Sequence, residues 1–216
     1  MRTVTPSVLV EKLDHLVYAT PDLARGMREI ETLTGVSPAI GGQHPGRGTR
    51  NALIALGDHA YLEIVAPDPQ QTAPVSPRWL GVDDVTTSRL TTWVAKATDL
   101  SGLQRRAVEH AVPIGEVRSG SRQRADGVKL SWEVTNPEPL TAGGVVPFFI
   151  DWGDSPHPAQ TAPRGASLVA FRLEHPDVAE VQRMLTALDL DVPVTRGNHP
   201  ALVATIEGPR GRVELR

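Results

Sequence analysis

Apolar and polar residues alternate in short runs along most of this chain, a pattern that predicts many brief strands. The first run, residues 12–19, is predicted to be a strand with His15 among apolar residues on one face. Residues 21–33 then carry apolar side chains at intervals of three and four, which predicts an amphipathic helix capped by Gly35. The Thr-Pro-Asp sequence at 20–22 is a typical helix start, with the threonine as its cap.

The next segments complete a β-α-β-β-β unit. Residues 37–40 are predicted to form a short strand, and the glycine-rich stretch 41–48 is predicted to form a loop. Two longer strands are predicted at 49–56 and 60–66, and the Gly-Asp turn between them is typical of a hairpin.

The same order of elements begins twice more, at Leu90 and at Leu168. The second copy is predicted to contain a helix through residues 100–111, strands at 90–97, 112–117, 128–135 and 145–152, and a polar loop at 118–127. The third copy is shorter and keeps the pattern less well. The repetition indicates that one small unit recurs and that a site lies where units meet.

These copies predict the domain organisation of the chain. The first module is expected at 12–66 and the second at 89–153, and a third, shorter module-like unit is expected at 167–216. Proline-rich stretches at 67–88 and 154–166 are interpreted as linkers that cross the surface.

Composition narrows the classes of function. The net charge is −3 and there is no basic block, which argues against a nucleic-acid partner and against electrostatic membrane binding. Cysteine is absent, which excludes disulfides, thiolate nucleophiles and cysteine-based zinc sites. Residues 1–10 show no signal-peptide pattern, and no apolar run is long enough to span a membrane, so a cytoplasmic protein is expected.

Two residues on neighbouring strands carry the candidate chemistry. Glu63 lies between Leu62 and Ile64 in an apolar strand, where a buried carboxylate is costly unless it is paired or binds an ion. His15 can bind a metal or move protons near neutral pH, although a strand histidine can also simply bond the backbone. Asp151 holds in the second unit the place that Glu63 holds in the first.

Other polar and aromatic residues are candidates for substrate binding. His44 lies in the 41–51 loop, and Thr49 and Asn51 begin the following strand. That loop lacks the phosphate-binding signature, so no nucleotide cofactor is expected. The second unit concentrates the aromatic residues that could line a pocket or simply pack the core: Trp93, Trp132 and Phe149. By alternation, Phe149 and Asp151 share one strand face, and Phe148, Ile150 and Trp152 share the other.

Four stretches resemble the vicinal oxygen chelate superfamily, which includes glyoxalase I, extradiol dioxygenases and bleomycin-resistance proteins. They are Leu13-Asp-His-Leu-Val17, His44-Pro-Gly-Arg-Gly-Thr-Arg-Asn51, Tyr61-Leu-Glu-Ile-Val65 and Pro147-Phe-Phe-Ile-Asp-Trp-Gly153. Within the superfamily they are most similar to the glyoxalase-like domain subgroup. The resemblance covers roughly residues 12–160 and implies an α+β fold, in which repeated βαβββ modules form a curled, partly open mixed sheet around a cavity.

The resemblance also implies a divalent metal held by the first and last strands of each module. The matching positions are His15 and Glu63 in the first module and Thr92 and Asp151 in the second. Threonine is a poor ligand, so the expected set is His15, Glu63 and Asp151. Mn, Mg, Zn, Fe and Ni are not distinguished by these residues. The third copy has Ala170 at the histidine position and adds no ligand.

The resulting hypothesis is a metal-dependent lyase, isomerase or dioxygenase acting on a small carbonyl or hydroxylated substrate. Glu63 and Asp151 are its expected catalytic residues, and a metal-free enzyme with Glu63 as the base is a variant of it. The alternative is a non-catalytic protein that binds a small molecule, as in the antibiotic-resistance branch of the superfamily. The third unit could instead serve assembly, which would make the protein a homodimer. The residues leave open which two of the three units enclose the cavity.

Overall fold

Twelve strands and three α-helices make up the part of the chain that this computed structural model describes, which is residues 12–72, 74, 77–123, 127–136 and 138–216. Residues 1–10, for which no signal peptide is predicted, lie outside the described residues. The helices are α1 (Leu23–Thr34), α2 (Leu100–Glu109) and α3 (Val178–Ala187).

The strands follow the predicted order with shifted ends. Their bounds are β1 (Leu13–Ala19), β2 (Ala39–His44), β3 (Thr49–Ala55), β4 (Tyr61–Pro67), β5 (Arg89–Lys96), β6 (Glu116–Gln123), β7 (Lys129–Asn136), β8 (Phe148–Asp151), β9 (Ser167–His175), β10 (Val194–Arg196), β11 (Ala201–Gly208) and β12 (Gly211–Leu215). The two predicted loops at 41–48 and 118–127 are wrong in part. Strands β2 and β6 run through them, because strand pairing tolerates glycine and polar residues at sheet edges.

Each helix begins with an aspartate whose carboxylate accepts a hydrogen bond from a backbone N–H in the first turn. These capping residues are Asp22, Asp99 and Asp177. The prediction that Thr20 caps α1 is wrong, since its hydroxyl donates to the Asp22 carbonyl instead. The prediction of Gly35 as the C-terminal cap is confirmed, and its φ of 78° is a conformation that glycine adopts without strain.

The main sheet confirms the predicted α+β fold. Its eight strands have the order β2-β3-β4-β1-β5-β8-β7-β6, so the first four and second four strands have the same internal arrangement. The halves meet where β1 and β5 pair antiparallel, and the sheet curls so strongly that its outermost strands approach each other. Arg122 on β6 donates a hydrogen bond to the carbonyl of Gly41 on β2. The sheet is therefore a half-barrel made from two modules.

The last unit differs from the first two. Strands β9 to β12 form a separate sheet with the order β10-β9-β11-β12, in which β9 pairs in parallel with β10. In the first module the corresponding opening strand, β1, pairs in parallel with the last strand, β4. The expectation of a third copy is therefore not met in strand order, although the sequence of elements is the same. The first and second modules therefore form the half-barrel, and the third unit, which the structure describes in full, does not contribute strands to it.

The connection between the modules fills one end of the half-barrel. Leu80, Val82 and Val85 are buried against residues of the concave face, including Val17 and Val94. The interpretation of residues 67–88 as a linker across the surface is therefore wrong for this part. Burial of these three apolar side chains on the sheet stabilises the join between the modules.

The convex face of the half-barrel packs on the helices and on the third unit. Ile30 of α1, Leu103 of α2 and Trp93 of β5 are buried in this larger cluster. The helices within the described residues are too short or too polar to cross a bilayer.

Gly144 gives a direct test of how the turn that precedes β8 packs against β5. Its φ is 93°, and a Cβ added there would overlap the carbonyl oxygen of Thr91. We expect Gly144→Ala to lower the free energy of unfolding by about 3 kcal/mol or more, because strain and overlap combine. The matched control is Gly211→Ala, since Gly211 has a φ of 97° but open space around the added carbon. Urea unfolding of both variants measures the difference, and equal losses would contradict the packing described.

Candidate active site

The concave face of the half-barrel encloses a cavity of about 30 Å³. Polar residues of the first module form one side, and aromatic residues of the second module form much of the other. The lining residues are His15, His44, Asn51, Tyr61, Glu63, Trp79, Leu80, Arg122, Trp132, Val134, Phe148, Ile150 and Trp152.

A chain of three ionisable side chains crosses the floor of this cavity. The Nδ1 of His15 lies 2.7 Å from Oδ1 of Asp14, and its Nε2 lies 3.5 Å from Oε2 of Glu63. Asp14 is fully buried, and His15 and Glu63 are only 5% and 4% exposed. One imidazole therefore stands between two carboxylates that are shielded from water.

Asp14 reaches this chain because β1 is irregular. In the pairing with β5, Leu13 is opposite Ala95 and His15 is opposite Val94, so Asp14 is an extra residue in the strand. Strict alternation would have placed it on the face opposite His15. The other oxygen of the carboxylate accepts hydrogen bonds from Nε1 of Trp152 at 3.0 Å and from Nε2 of His157 at 3.1 Å. Three nitrogen donors thus compensate the burial of this carboxylate.

A second set of contacts holds Glu63 from the opposite side. Nδ2 of Asn51 donates to Oε1 of Glu63 at 2.6 Å, and Nε2 of His44 lies 3.6 Å from the same oxygen. Nδ1 of His44 lies 2.9 Å from the hydroxyl of Thr49, which also accepts from the indole of Trp79 at 3.0 Å. Nδ2 of Asn51 also lies 3.3 Å from Nε2 of His44, so a His44 tautomer protonated at Nδ1 accepts from Asn51 and donates to Thr49.

The pKa values follow from burial and from these hydrogen bonds. Burial disfavours the imidazolium, but bonds to Asp14 and Glu63 outweigh it and raise the pKa of His15 to about 9. Burial also opposes ionisation of the carboxyls, yet their bonds to His15 lower the pKa of Asp14 and of Glu63 to about 2. Burial lowers the pKa of His44. At neutral pH the site therefore holds two carboxylates, one imidazolium and one neutral imidazole.

Aromatic rings surround the charged chain. Tyr61 stacks on His15 with ring centroids 4.4 Å apart, and Phe148 meets the same imidazole edge-on at 6.5 Å. The ring centroids of Trp132 and Trp152, both in the second module, lie 5.3 Å apart. Burial raises the pKa of Tyr61 well above its ordinary value, so its hydroxyl stays neutral. These walls lower the local dielectric, which strengthens the interactions between the charges.

Close approach of β2 to the site depends on a glycine. A Cβ at Gly41 would overlap the amide oxygen of Asn51. That oxygen is buried and accepts no hydrogen bond within the described residues, while the amide nitrogen serves Glu63. Glycine at position 41 therefore leaves the space in which Asn51 is oriented toward the carboxylate.

The structure assembles part of the set predicted from the sequence. His15, Glu63, His44 and Asn51 converge on the cavity, Thr49 supports His44, and Trp132 lies in the wall. Asp151 is not brought to the cluster. Phe148, Ile150 and Trp152 face the cavity, and Asp151 lies on the other strand face, where it accepts from the backbone N–H of Gly153 at 2.8 Å. The prediction that Asp151 matches Glu63 is therefore wrong by one residue, because Ile150 is the β8 residue that faces the cavity as Glu63 does on β4.

Two aromatic residues that were predicted to line the pocket also lie elsewhere. Trp93 is buried on the convex side, where its indole donates to the Val145 carbonyl at 2.8 Å and its ring meets Phe171. Phe149 belongs to the same convex cluster. Trp93 and Phe149 therefore pack in the core, which was the alternative considered for these rings. Thr92 is buried opposite Val17 and is not among the lining residues.

The donors present do not fit the metal set expected from the resemblance. His15 and Glu63 face each other at a distance that one ion could bridge, and the Asp14 bond would orient such a ligand. However, no group of three His, Cys, Asp or Glu side chains in the described part of the chain is arranged to hold a metal ion. His15 and His44 approach different oxygens of Glu63, so these three side chains do not converge on one ion as the ligands of dedicated sites do.

Several residues of the site carry no clear signal in the sequence. Asp14 depends on a strand irregularity, and Trp79 enters from a connection expected on the surface. Arg122 lies in a segment predicted to be a loop, and His157 lies in the second proline-rich connection. The sequence signal that could have found Asp14 is its position beside His15, since an adjacent carboxylate and imidazole often act together.

Comparison with known proteins supports the fold. A family model described as a glyoxalase-like domain matches residues 13–188, whereas no curated protein matches the chain. A hypothetical protein from Staphylococcus aureus has a TM-score of 0.61 and 16% identity, over 94% of this chain and 84% of that chain. Methylmalonyl-CoA epimerase from Mycobacterium tuberculosis has a TM-score of 0.45 and 20% identity, over 70% of this chain and 94% of that chain. At these identities the structural likeness concerns the fold alone.

The raised pKa of His15 predicts how stability depends on pH. The imidazolium stabilises the folded state fully below its ordinary pKa of 6.5, and this contribution is lost as pH rises through about 9. We expect the free energy of unfolding to fall by on the order of 3 kcal/mol across this window. Asp14→Asn should shrink the loss and move it to lower pH, because one stabilising carboxylate is gone.

Urea unfolding at a series of pH values checks this prediction. His59→Gln is the matched control, since His59 is an exposed turn residue and its replacement should leave the profile unchanged. A profile that is the same in wild type and Asp14→Asn would contradict the coupling of these two side chains.

Proposed function

This chain belongs to the glyoxalase-like domain family, within the vicinal oxygen chelate superfamily, and on that premise we propose that it is an enzyme that removes a proton next to the carbonyl group of a small substrate. Glu63 is the base and His15 the group that stabilises the developing negative oxygen. The observation that carries the proposal is the buried chain Asp14–His15–Glu63 on the floor of an aromatic cavity.

His15 is suited to stabilise an enolate oxygen. Its Nδ1 is held by Asp14 at 2.7 Å, so its Nε2–H is directed into the cavity. The contact of Nε2 with Glu63 is 3.5 Å, which is longer than a good hydrogen bond and leaves room for a better acceptor. A substrate carbonyl oxygen that takes this N–H would gain a charged donor as its negative charge develops.

Glu63 becomes a stronger base when the substrate binds. Its pKa of about 2 depends chiefly on the hydrogen bond from His15 overcoming the effect of burial. When a carbonyl oxygen takes that hydrogen bond, burial raises the pKa of Glu63 toward the range useful for proton transfer. Asn51 still holds Oε1, so Oε2 is the oxygen that accepts the proton.

The chemical step is a balanced proton transfer. The α-carbon gives its proton to Glu63, and the electron pair of that C–H bond forms the enolate, whose oxygen accepts the hydrogen bond from His15. Return of the proton to carbon gives an isomer, and loss of a β-substituent with its electron pair gives a lyase product. Of the reaction types implied by the resemblance, the isomerase and lyase types thus agree best with these residues.

The proton-transfer step predicts that the protein exchanges α-protons with solvent. We expect wild-type protein to accelerate deuterium exchange at the α-carbon of simple probes such as pyruvate, dihydroxyacetone and 2-butanone, followed by proton NMR in heavy water. Glu63→Gln should slow this exchange by about 100-fold or more, because the amide cannot accept the proton. Asp151→Asn is the matched control, since Asp151 is not among the residues that line the cavity. Unchanged exchange in Glu63→Gln would remove Glu63 from the mechanism.

A non-catalytic binding protein is the second candidate. It is favoured by the resting state of the site, in which both oxygens of Glu63 already have partners and the cavity encloses about 30 Å³. Ligand binding without any exchange in the wild-type protein would support this candidate over the enzyme. A cytoplasmic location, a homodimer and the lack of a nucleic-acid partner stay predictions from the sequence.

Metal content separates the proposed activity from a metal-dependent one. We expect protein purified without chelators to hold well under one divalent ion per chain, because no three His, Cys, Asp or Glu side chains of the described residues are arranged to hold a metal ion. Elemental analysis for Mn, Mg, Zn, Fe and Ni measures this directly. One ion per chain that is lost in His15→Gln but kept in His59→Gln would establish a metal site at the cavity and overturn the metal-free step.

A further inference from the structure

We infer that a groove beside the cavity is a second chamber of the same site, that it receives the apolar body of the substrate, and that Trp79 is the wall between the two chambers. This inference builds on the proposed function and names its substrate class. The expected substrate has a small carbonyl head for the inner cavity and an uncharged chain of several carbons for the groove.

The inner cavity by itself cannot hold a substrate of that kind. Its volume of about 30 Å³ is enough for about one or two water molecules. Sites for drug-sized ligands enclose roughly 300–1,000 Å³. A ligand that brings its carbonyl to His15 must therefore extend beyond the present walls.

The groove lies directly behind one of those walls. It has a volume of about 550 Å³, which falls in the range for a small-molecule site. Trp79 and Leu80 line both the groove and the inner cavity, so these two residues lie between the two spaces. Pro139 and Leu140 form the apolar far side of the groove.

Trp79 is the wall best placed to move. It lies on the connection between β4 and β5, whereas Trp132 is part of β7 and Trp152 is bonded to buried Asp14. Its indole N–H donates to Thr49 at 3.0 Å, and its ring contacts His44 and the guanidinium of Arg47. Rotation of this side chain would exchange one hydrogen bond and two ring contacts for an open passage.

The charges around the groove indicate an uncharged ligand. Two basic residues, Arg78 and Arg89, and two acidic residues, Asp84 and Glu138, lie in its lining, so their formal charges cancel. Arg78 is also paired with Asp83 at 2.7 Å, and Glu138 with Arg47 at 3.8 Å. The groove thus offers apolar surface without a net charge that would select an anionic or cationic tail.

A series of unbranched methyl ketones, from 2-butanone to 2-octanone, tests the inference by calorimetry. Each added methylene that enters the groove should lower Kd by about fourfold, the factor that corresponds to burial of one CH₂. Leu140→Asp should abolish this dependence on chain length, because the added charge replaces apolar surface of the groove. Leu33→Asp is the matched control, because Leu33 is 39% exposed on α1, away from both chambers, and should keep the full dependence.

Trp79→Ala should raise the association rate of 2-octanone by about tenfold, because no wall has to move.

Three results would overturn the inference: no ketone binding, a Kd independent of chain length in the wild type, or an unchanged dependence in Leu140→Asp. Thermal unfolding checks that the variants fold. If Leu140→Asp does not fold, Leu140→Ser replaces it and should show a reduced dependence of Kd on chain length. Deuterium exchange of the same ketones is measured in parallel. Chain-length dependence without exchange would leave the groove assigned and refute the proposed chemistry. Exchange without chain-length dependence would refute the groove alone.

Discussion

The burial of two carboxylates around one imidazole is the constraint on which this site depends. Asp14 and Glu63 are removed from water on the concave side of a sheet, where an unpaired negative charge would be very costly. His15 compensates both by staying protonated, and N–H donors from both modules complete the shell. Packing of the second module on the first supports the cluster, because Trp152 of the second module donates to Asp14 of the first. Fold and electrostatics are therefore coupled at this point.

The two modules contribute different kinds of side chain to this site. The two halves of the main sheet keep the same strand order, yet the inward positions of β8 hold Phe148 and Ile150 where β4 holds Tyr61 and Glu63. The first module has kept the polar chain, and the second supplies an apolar wall that shields it. An apolar wall strengthens the attraction between His15 and its carboxylates, so loss of polar residues in one module makes those of the other more effective.

The sequence allowed the fold to be predicted further than the site. Regular alternation and the aspartates at 22, 99 and 177 mark where strands end and helices begin, and these local signals are strong. His15 and Glu63 were predictable because a histidine and a carboxylate in apolar strands need a partner. Asp151 was misassigned because a shift of one residue reverses the face of a strand, and spacing alone does not fix that register. Asp14 and Trp79 depend on a bulge and on a folded connection, which arise from tertiary packing rather than from local pattern.

The ionisable side chains of the cavity and the Trp79 wall beside them lie on different kinds of structure. The ionisable chain lies on β1 and β4, adjacent strands at the centre of the sheet, where backbone pairing on both sides fixes the side chains closely. Trp79 lies on the connection between the modules, in which Leu80, Val82 and Val85 are buried against the sheet. Changes in that connection can alter the size of the accessible chamber without disturbing the strands beneath it. Substitutions near Trp79 can therefore reshape the space beside the cavity while His15 and Glu63 stay in place.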